Sequence, residues 1–266
     1  MTFTEANTVE AHLRDLLAGA ASSRPAEFSP GLARHNGKVA GLGWHYVAAA
    51  DLRRQPQEAL VETHLRQALI RLNPEIASNP GRADDVVYRL RAIILGARQD
   101  GLVKANEEFA AWLLGERSMP FGANGEHVTI RLIDFDNIEL NNFVVTQQFT
   151  IRAGKTEKRA DLVLLVNGVP LVLIEAKTPV RSSQSWLDAA VQVHDDYERN
   201  VPELFVPNVL SVATEGKELR YGSVRMPVDM WGPWLDGDGQ QSLSEVEKAA
   251  TSMLRPSMVL DMLASF

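Results

Sequence analysis

The sequence predicts an α/β fold with a central mixed β-sheet, flanked by helices and preceded by a helical N-terminal segment. Three observations lead to that class. Apolar residues recur at helical spacing through roughly the first 120 residues. Beyond about residue 126 the period shortens to that of strands, with Val and Ile enriched. A single helical stretch then separates this strand cluster from further short strands.

Taken in order, residues 5–18 carry Leu13, Leu16 and Leu17 at helical spacing, and Ser22 to Gly43 is rich in loop-forming residues. "EALVETHLRQALIRLNPEI" is the clearest amphipathic helix. Leu60, Val61, His64, Leu65, Ala68, Leu69 and Leu72 share its apolar stripe, and Asn73-Pro74 stops it. His64 on that stripe reads as a packed core histidine. A second helix is predicted over Asp84 to Gln99, and a third over "LVKANEEFAAWLLGE". "EHVTIRLIDF", "NFVVTQQFTIRA", "ADLVLLVN" and "PLVLIEAK" read as strands, the last two joined by an Asn167-Gly168 hairpin turn. After Pro179, "SSQSWLDAAVQVHDDYERN" predicts a helix capped by Ser182 or Ser183. "LFVPNVLSVATEG" and "ELRYGSVRM" are further strands, and an acidic turn leads into a last helix. The expected division is a mainly helical part over 1–120, a core over 121–235 and a C-terminal helical segment over 236–266.

Composition narrows the function classes. The 266 residues are 45% hydrophobic, and no apolar run approaches the roughly 20 residues of a membrane helix. The N-terminus lacks the basic and apolar regions of a signal peptide, so a cytoplasmic location with no membrane partner is expected. With no cysteine there is no disulfide and no thiolate metal site. The net charge of −7 does not advertise nucleic-acid binding for the surface as a whole. From Thr150 to Gln184, however, bases outnumber acids six to three. Lys155, Lys158, Arg159 and Arg181 lie in this stretch, and a basic rim of that kind fits a phosphate-binding cleft.

The chemistry concentrates in "RADLVLLVNGVPLVLIEAKTP". Glu175 and Lys177 stand two apart on a strand and so face the same way. Folding at Asn167-Gly168 brings Asp161, at the start of one strand, beside them at the open end of the hairpin. Charges among "VLLV" and "LVLI" are costly unless paired or metal-bound. Two carboxylates and the backbone carbonyl of Ala176 would offer oxygen ligands to a hard cation such as Mg²⁺. Lys177 would then hold or help deprotonate a water, or offset charge on a phosphate. The competing reading is a salt-bridge cluster at a sheet end.

This stretch resembles the D…E-x-K core of the PD-(D/E)xK nuclease fold, with Ala160-Asp161 where that motif often has Pro-Asp. More narrowly it resembles the N-terminal nuclease region of the R subunit of type I restriction endonucleases, the HsdR family. "HLRQALIRLNPEI", "LVKANEEFAAWLLGE", "VTIRLIDFDNIELNNFVVTQQFTI" and "VPELFVPNVLSVATEGKELRYGS" resemble blocks of that family in the same order. The resemblance implies a restriction-endonuclease-like core, with Asp161 and Glu175 as ligands of Mg²⁺ (or Mn²⁺) and Lys177 as the catalytic lysine. It also implies an acid on an upstream helix, for which Glu62 is the candidate. A Gln-x-x-x-Tyr pair on the helix after the lysine is implied to help position DNA. Here Gln192 and Tyr197 are five apart, which on a regular helix swings the second by about 140°. Either a local bulge displaces Gln192, or the pair does not work together.

By the same resemblance, the expected activity is Mg²⁺-dependent cleavage of unmodified double-stranded DNA, with modification and specificity subunits as partners. The family's nuclease region is followed by an ATP-driven motor. No G-x-x-x-x-G-K-[ST] phosphate loop occurs in this sequence, and "GKT" at Gly154 lacks the upstream glycine. ATP use is therefore expected only of a full-length subunit, of which this chain would be a fragment. A docking module for assembly with the partner subunits is the alternative, and a free-standing nuclease a third possibility.

Overall fold

In the computed structural model, residues 9–19, 41–178, 185–235 and 244–265 are described. Arg181 and the expected caps Ser182 and Ser183 lie outside them, as does most of the loop-rich stretch after Ser22. The helices are α1 (Val9–Ala18), α2 (Glu62–Leu72), α3 (Pro74–Ala77), α4 (Arg82–Asp100), α5 (Leu102–Leu113), α6 (Trp186–Val191), α7 (Glu198–Asn200), α8 (Glu245–Met253) and α9 (Pro256–Ala264). The strands are β1 (His45–Tyr46), β2 (Ser118–Met119), β3 (Val128–Thr129), β4 (Phe143–Ala153), β5 (Thr156–Val166), β6 (Val169–Ala176), β7 (Leu210–Thr214) and β8 (Leu219–Gly222).

Six strands form the central sheet in the order β1-β4-β5-β6-β7-β8. The β1–β4 and β6–β7 pairs are parallel and the other three antiparallel, so the sheet is mixed. From Leu162 to Val166 and from Val169 to Ile174 every residue is buried. These two strands read as continuous apolar runs because both of their faces are covered. The apolar core they centre runs without a break from Val9 on α1 to Leu263 on α9.

The hairpin turn is fixed by its two residues. Asn167 and Gly168 take φ of 52° and 82°, the left-handed pair that a two-residue hairpin of matching twist requires. Gly168 is needed for space as well: a Cβ there would lie 2.4 Å from the Val61 carbonyl oxygen. The Val61 N–H donates to the Gly168 carbonyl at 2.8 Å, so the start of α2 is pinned to the closed end of the hairpin.

Two segments differ from expectation. "EHVTIRLIDF" is not a long strand; only Val128–Thr129 pair, with Ser118–Met119, in a two-stranded ribbon. Beyond them side chains take the backbone groups that a ladder would use. Asn141 Oδ1 accepts the Asp134 N–H at 2.9 Å, and Asp134 Oδ1 accepts those of Asp136 and Asn137 at 3.0 and 2.8 Å. The helix expected after Pro179 begins at Trp186. Ser185 caps it, accepting from the Leu187 N–H, while Asp188 accepts the Ser185 N–H at 2.7 Å in a capping box.

Candidate active site

The β5–β6 ladder shifts register by one between Leu164 and Leu165. On the turn side Leu165 faces Pro170, and on the far side Leu164 faces Val172. Without that extra residue in β6, Asp161 would stand opposite Ile174. With it, the Leu162–Ile174 pairing leads on to Asp161 beside Glu175. At this open end a side chain replaces the ladder: the Ala176 N–H donates to Asp161 Oδ2 at 2.9 Å.

Lys177 and Gln192 complete the group. Lys177 Nζ donates to Glu175 Oε1 at 3.1 Å and also to Gln192 Oε1. Gln192 Nε2 in turn donates to Glu175 Oε1 at 2.7 Å and to the Tyr197 hydroxyl at 2.6 Å. The Tyr197 hydroxyl donates to the Arg159 carbonyl at 3.0 Å, tying the helix to β5. The spacing of five works because Gln192–Tyr197 is a π-helical turn. Its i to i+5 geometry puts residues five apart on one face, a device found mostly as single turns at functional sites. Widening a helix leaves a carbonyl without its regular donor, and the His194 carbonyl in this turn accepts from Arg225 Nη1 at 3.1 Å. Arg225 is itself held by buried Glu198, which accepts its backbone N–H at 3.1 Å and sits 3.5 Å from its guanidinium.

The electrostatics oppose full ionisation. Burial, then the neighbouring Asp161 charge, pushes the Glu175 carboxyl up to about 8 despite Lys177. Burial also raises Asp161, against the pull of the Ala176 N–H and Lys177. Glu175 Oε2 is buried and has no hydrogen-bond partner. An orphaned carboxylate oxygen beside a second buried carboxylate is a donor set that fits a hard divalent cation. Among the described residues, no three His, Asp or Glu side chains gather closely enough to enclose a metal alone. A cation at Asp161 and Glu175 would therefore take its remaining oxygens from the backbone, water or phosphate, as Mg²⁺ commonly does.

Glu62 does not join this group. It lies in α2, near the closed end of the hairpin, where it pairs with Arg66 at 3.0 Å and with Arg91. At 3.3 Å per residue along β5, that is roughly 18 Å from Asp161. The upstream acid beside Asp161 is Glu10 on α1, which the sequence reading missed. Gln148 Nε2 bridges them, donating to both Glu10 oxygens at 2.9 Å and to Asp161 Oδ1 at 3.4 Å. Burial first, and Asp161 among the lesser causes, raises the Glu10 carboxyl. Of the rim residues, Lys155 and Arg159 are exposed, and Lys158 pairs with Asp196 at 2.7 Å.

A mixed sheet with an acid pair and a lysine at the open end of its central hairpin defines a restriction-endonuclease-like α/β core. The family profile described as the N terminus of the type I restriction enzyme R protein matches residues 37–228, and the chain belongs to that family. It is 29% identical over 246 residues to the type I restriction enzyme HindI endonuclease subunit of Haemophilus influenzae, covering 86% of this chain and 23% of that one. It is 25% identical over 221 residues to a chain of Methanocaldococcus jannaschii, provisionally named the type I restriction enzyme MjaIXP endonuclease subunit, covering 79% and 20%. The chain thus spans about a fifth to a quarter of the length of these relatives. Glu10 precedes the span that the family profile matches.

Proposed function

We propose that this chain is the Mg²⁺-dependent DNA endonuclease part of a type I restriction-modification R subunit. The observation that carries the reading is the meeting of Asp161, Glu175, Lys177 and Gln192 at the open end of the hairpin, with Lys177 and Gln192 on Glu175 Oε1 while its Oε2 is buried without a partner. Asp161, Glu175 and the Ala176 carbonyl would hold the cation. A bound divalent cation would supply positive charge to the phosphate and to the attacking water.

Lys177, set by Glu175 and Gln192, orients the water and offsets charge gathering on the phosphate oxygens. The water oxygen bonds to phosphorus and loses a proton to solvent as one phosphorus–oxygen bond to the sugar breaks, and the departing sugar oxygen takes up a proton to leave as a hydroxyl. Tyr197 fixes Gln192, and through it Lys177. Lys155, Lys158 and Arg159, with Arg181 beyond the described residues, would track the DNA backbone. Unmodified double-stranded DNA would be selected by modification and specificity subunits and delivered by a motor that uses ATP elsewhere in the full subunit. The docking alternative drew on the acidic surface and on the Gln192–Tyr197 spacing, and the π-turn that lets the two side chains meet removes the second ground.

The test is replacement of Asp161, Glu175 or Lys177 by Ala in the full subunit. Cleavage should be lost while ATP hydrolysis continues. Cleavage surviving in all three variants would overturn the assignment.

A further inference from the structure

Four non-glycine residues among those described have a left-handed backbone: Asn124, Gln148, Asn167 and Arg225. The two asparagines precede glycines in turns, where that conformation is ordinary. Gln148 is different, because it lies in the middle of β4 at φ 56°. The β4–β5 ladder keeps one register from Phe143 opposite Val166 to Ala153 opposite Thr156. The step it omits is Gln148 opposite Asp161.

The consequence for the side chains is direct. Neighbours on an undisturbed strand point to opposite faces. Yet Gln147 and Gln148 both reach Glu10, with Gln147 Nε2 donating to Glu10 Oε1 at 3.1 Å. Cross-strand neighbours share a face, so the register alone sets Gln148 on the face that carries Asp161. The left-handed residue breaks the alternation and lets Gln147 reach the same Glu10 as the Gln148 amide. That amide donates to Asp161 Oδ1, the oxygen that the Ala176 N–H leaves open, and to both oxygens of Glu10. A strained backbone persists only when its surroundings impose it, and such residues cluster at functional sites.

We propose that Gln148 is a positioning residue. Its amide holds the like-charged Glu10 and Asp161 side by side and aims Asp161 toward Glu175. This rests on the metal-dependent nuclease reading.

The test is a calorimetric titration of the chain with Mn²⁺, together with thermal melts without metal, for the native chain and for Gln148→Ala, Gln148→Gly and Asp161→Ala. Both Gln148 variants should bind Mn²⁺ about tenfold more weakly, the range in which side chains supporting a ligand act. Gln148→Gly should melt about 2–4 °C above Gln148→Ala, because glycine takes the left-handed backbone without strain. A variant more stable and yet weaker for Mn²⁺ separates positioning from a role in folding. Native Mn²⁺ affinity in both Gln148 variants would overturn the proposal while leaving the nuclease reading intact. Native affinity in Asp161→Ala would overturn the nuclease reading and this inference with it.

Discussion

Replacing Glu175 by Gln should make the metal-free chain more stable at pH 8 and change it far less at pH 5. The folded carboxyl is 3% exposed and titrates near about 8, against 4.5 for an ordinary glutamate. Between those values the folded chain keeps a proton that the unfolded chain has lost. The stabilisation from this group is therefore complete below about 4.5 and disappears as pH rises through about 8. At about 1.4 kcal/mol per pH unit the whole window amounts to a few kcal/mol. Glutamine has no proton to lose, so its curve omits this slope. Glu10 and Glu198 are also raised, but to first order they act in both proteins and cancel in the difference. The Asp161 charge, by contrast, is one cause of the Glu175 shift and belongs to the slope being measured. Urea unfolding in EDTA at several pH values gives the numbers. The stability gap between variant and native chain should widen steadily from pH 5 to 8, and Mg²⁺ at pH 8 should stabilise the native chain and leave the variant nearly unchanged. Parallel curves across that window would refute the idea that Glu175 is held protonated by its surroundings.

Gly168→Ala should cost about 2 kcal/mol or more in unfolding free energy, because its Cβ meets the Val61 carbonyl at 2.4 Å on a left-handed backbone. Arg225→Ala should cost about 2 kcal/mol by removing the donor to the His194 carbonyl and the partner of buried Glu198. In the full subunit the same substitution should slow cleavage, since the π-turn sets Gln192; native rates would separate that turn from the chemistry. Lys155→Ala should weaken DNA binding equally across sequences and lower the slope of log affinity against log salt by about one, measured by fluorescence anisotropy. An unchanged slope would place Lys155 away from the phosphates.

The hairpin was legible because Asn167-Gly168 admits few turn geometries and the strands on either side are uniformly apolar. That uniformity hid the register. With both faces buried, alternation cannot say whether Asp161 meets Ile174 or Glu175, and only the bulge decides. A signal was present in Pro170, which has no N–H for a ladder and lies on the turn side of the shift. The resemblance implies only an acid on an upstream helix, for which Glu62 was the candidate, and a helix read from its stripe does not tell which end of the sheet it reaches. The trace of Glu10 lay in β4 instead, where the adjacent polar residues Gln147 and Gln148 interrupt an alternating pattern. The spacing of Gln192 and Tyr197 was visible as an anomaly, and its resolution needed a π-turn whose support comes from Arg225, distant in sequence. The strand expected over "EHVTIRLIDF" failed for a related reason: Asp134 and Asn141 bond locally to the backbone, and a period-two pattern does not register that competition.

These departures from local regularity share one physical setting. Asp161 and Glu175 are driven toward the protonated state by burial, and Glu10 is raised as well. Among the described residues, Lys177 is the one ammonium hydrogen-bonded to Glu175. Such an arrangement does not form because it is favourable in itself. It is imposed by β5 and β6, whose buried runs belong to a core continuous from α1 to α9. A rigid scaffold can hold a bulge, a π-turn and a left-handed Gln148, the last costing on the order of 1–3 kcal/mol, without losing the fold. What those features have in common is that each sets a side chain of one group: the bulge aligns Asp161 with Glu175, Gln148 holds Asp161 and the π-turn presents Gln192. A cation there would relieve the repulsion that the protein alone leaves in place.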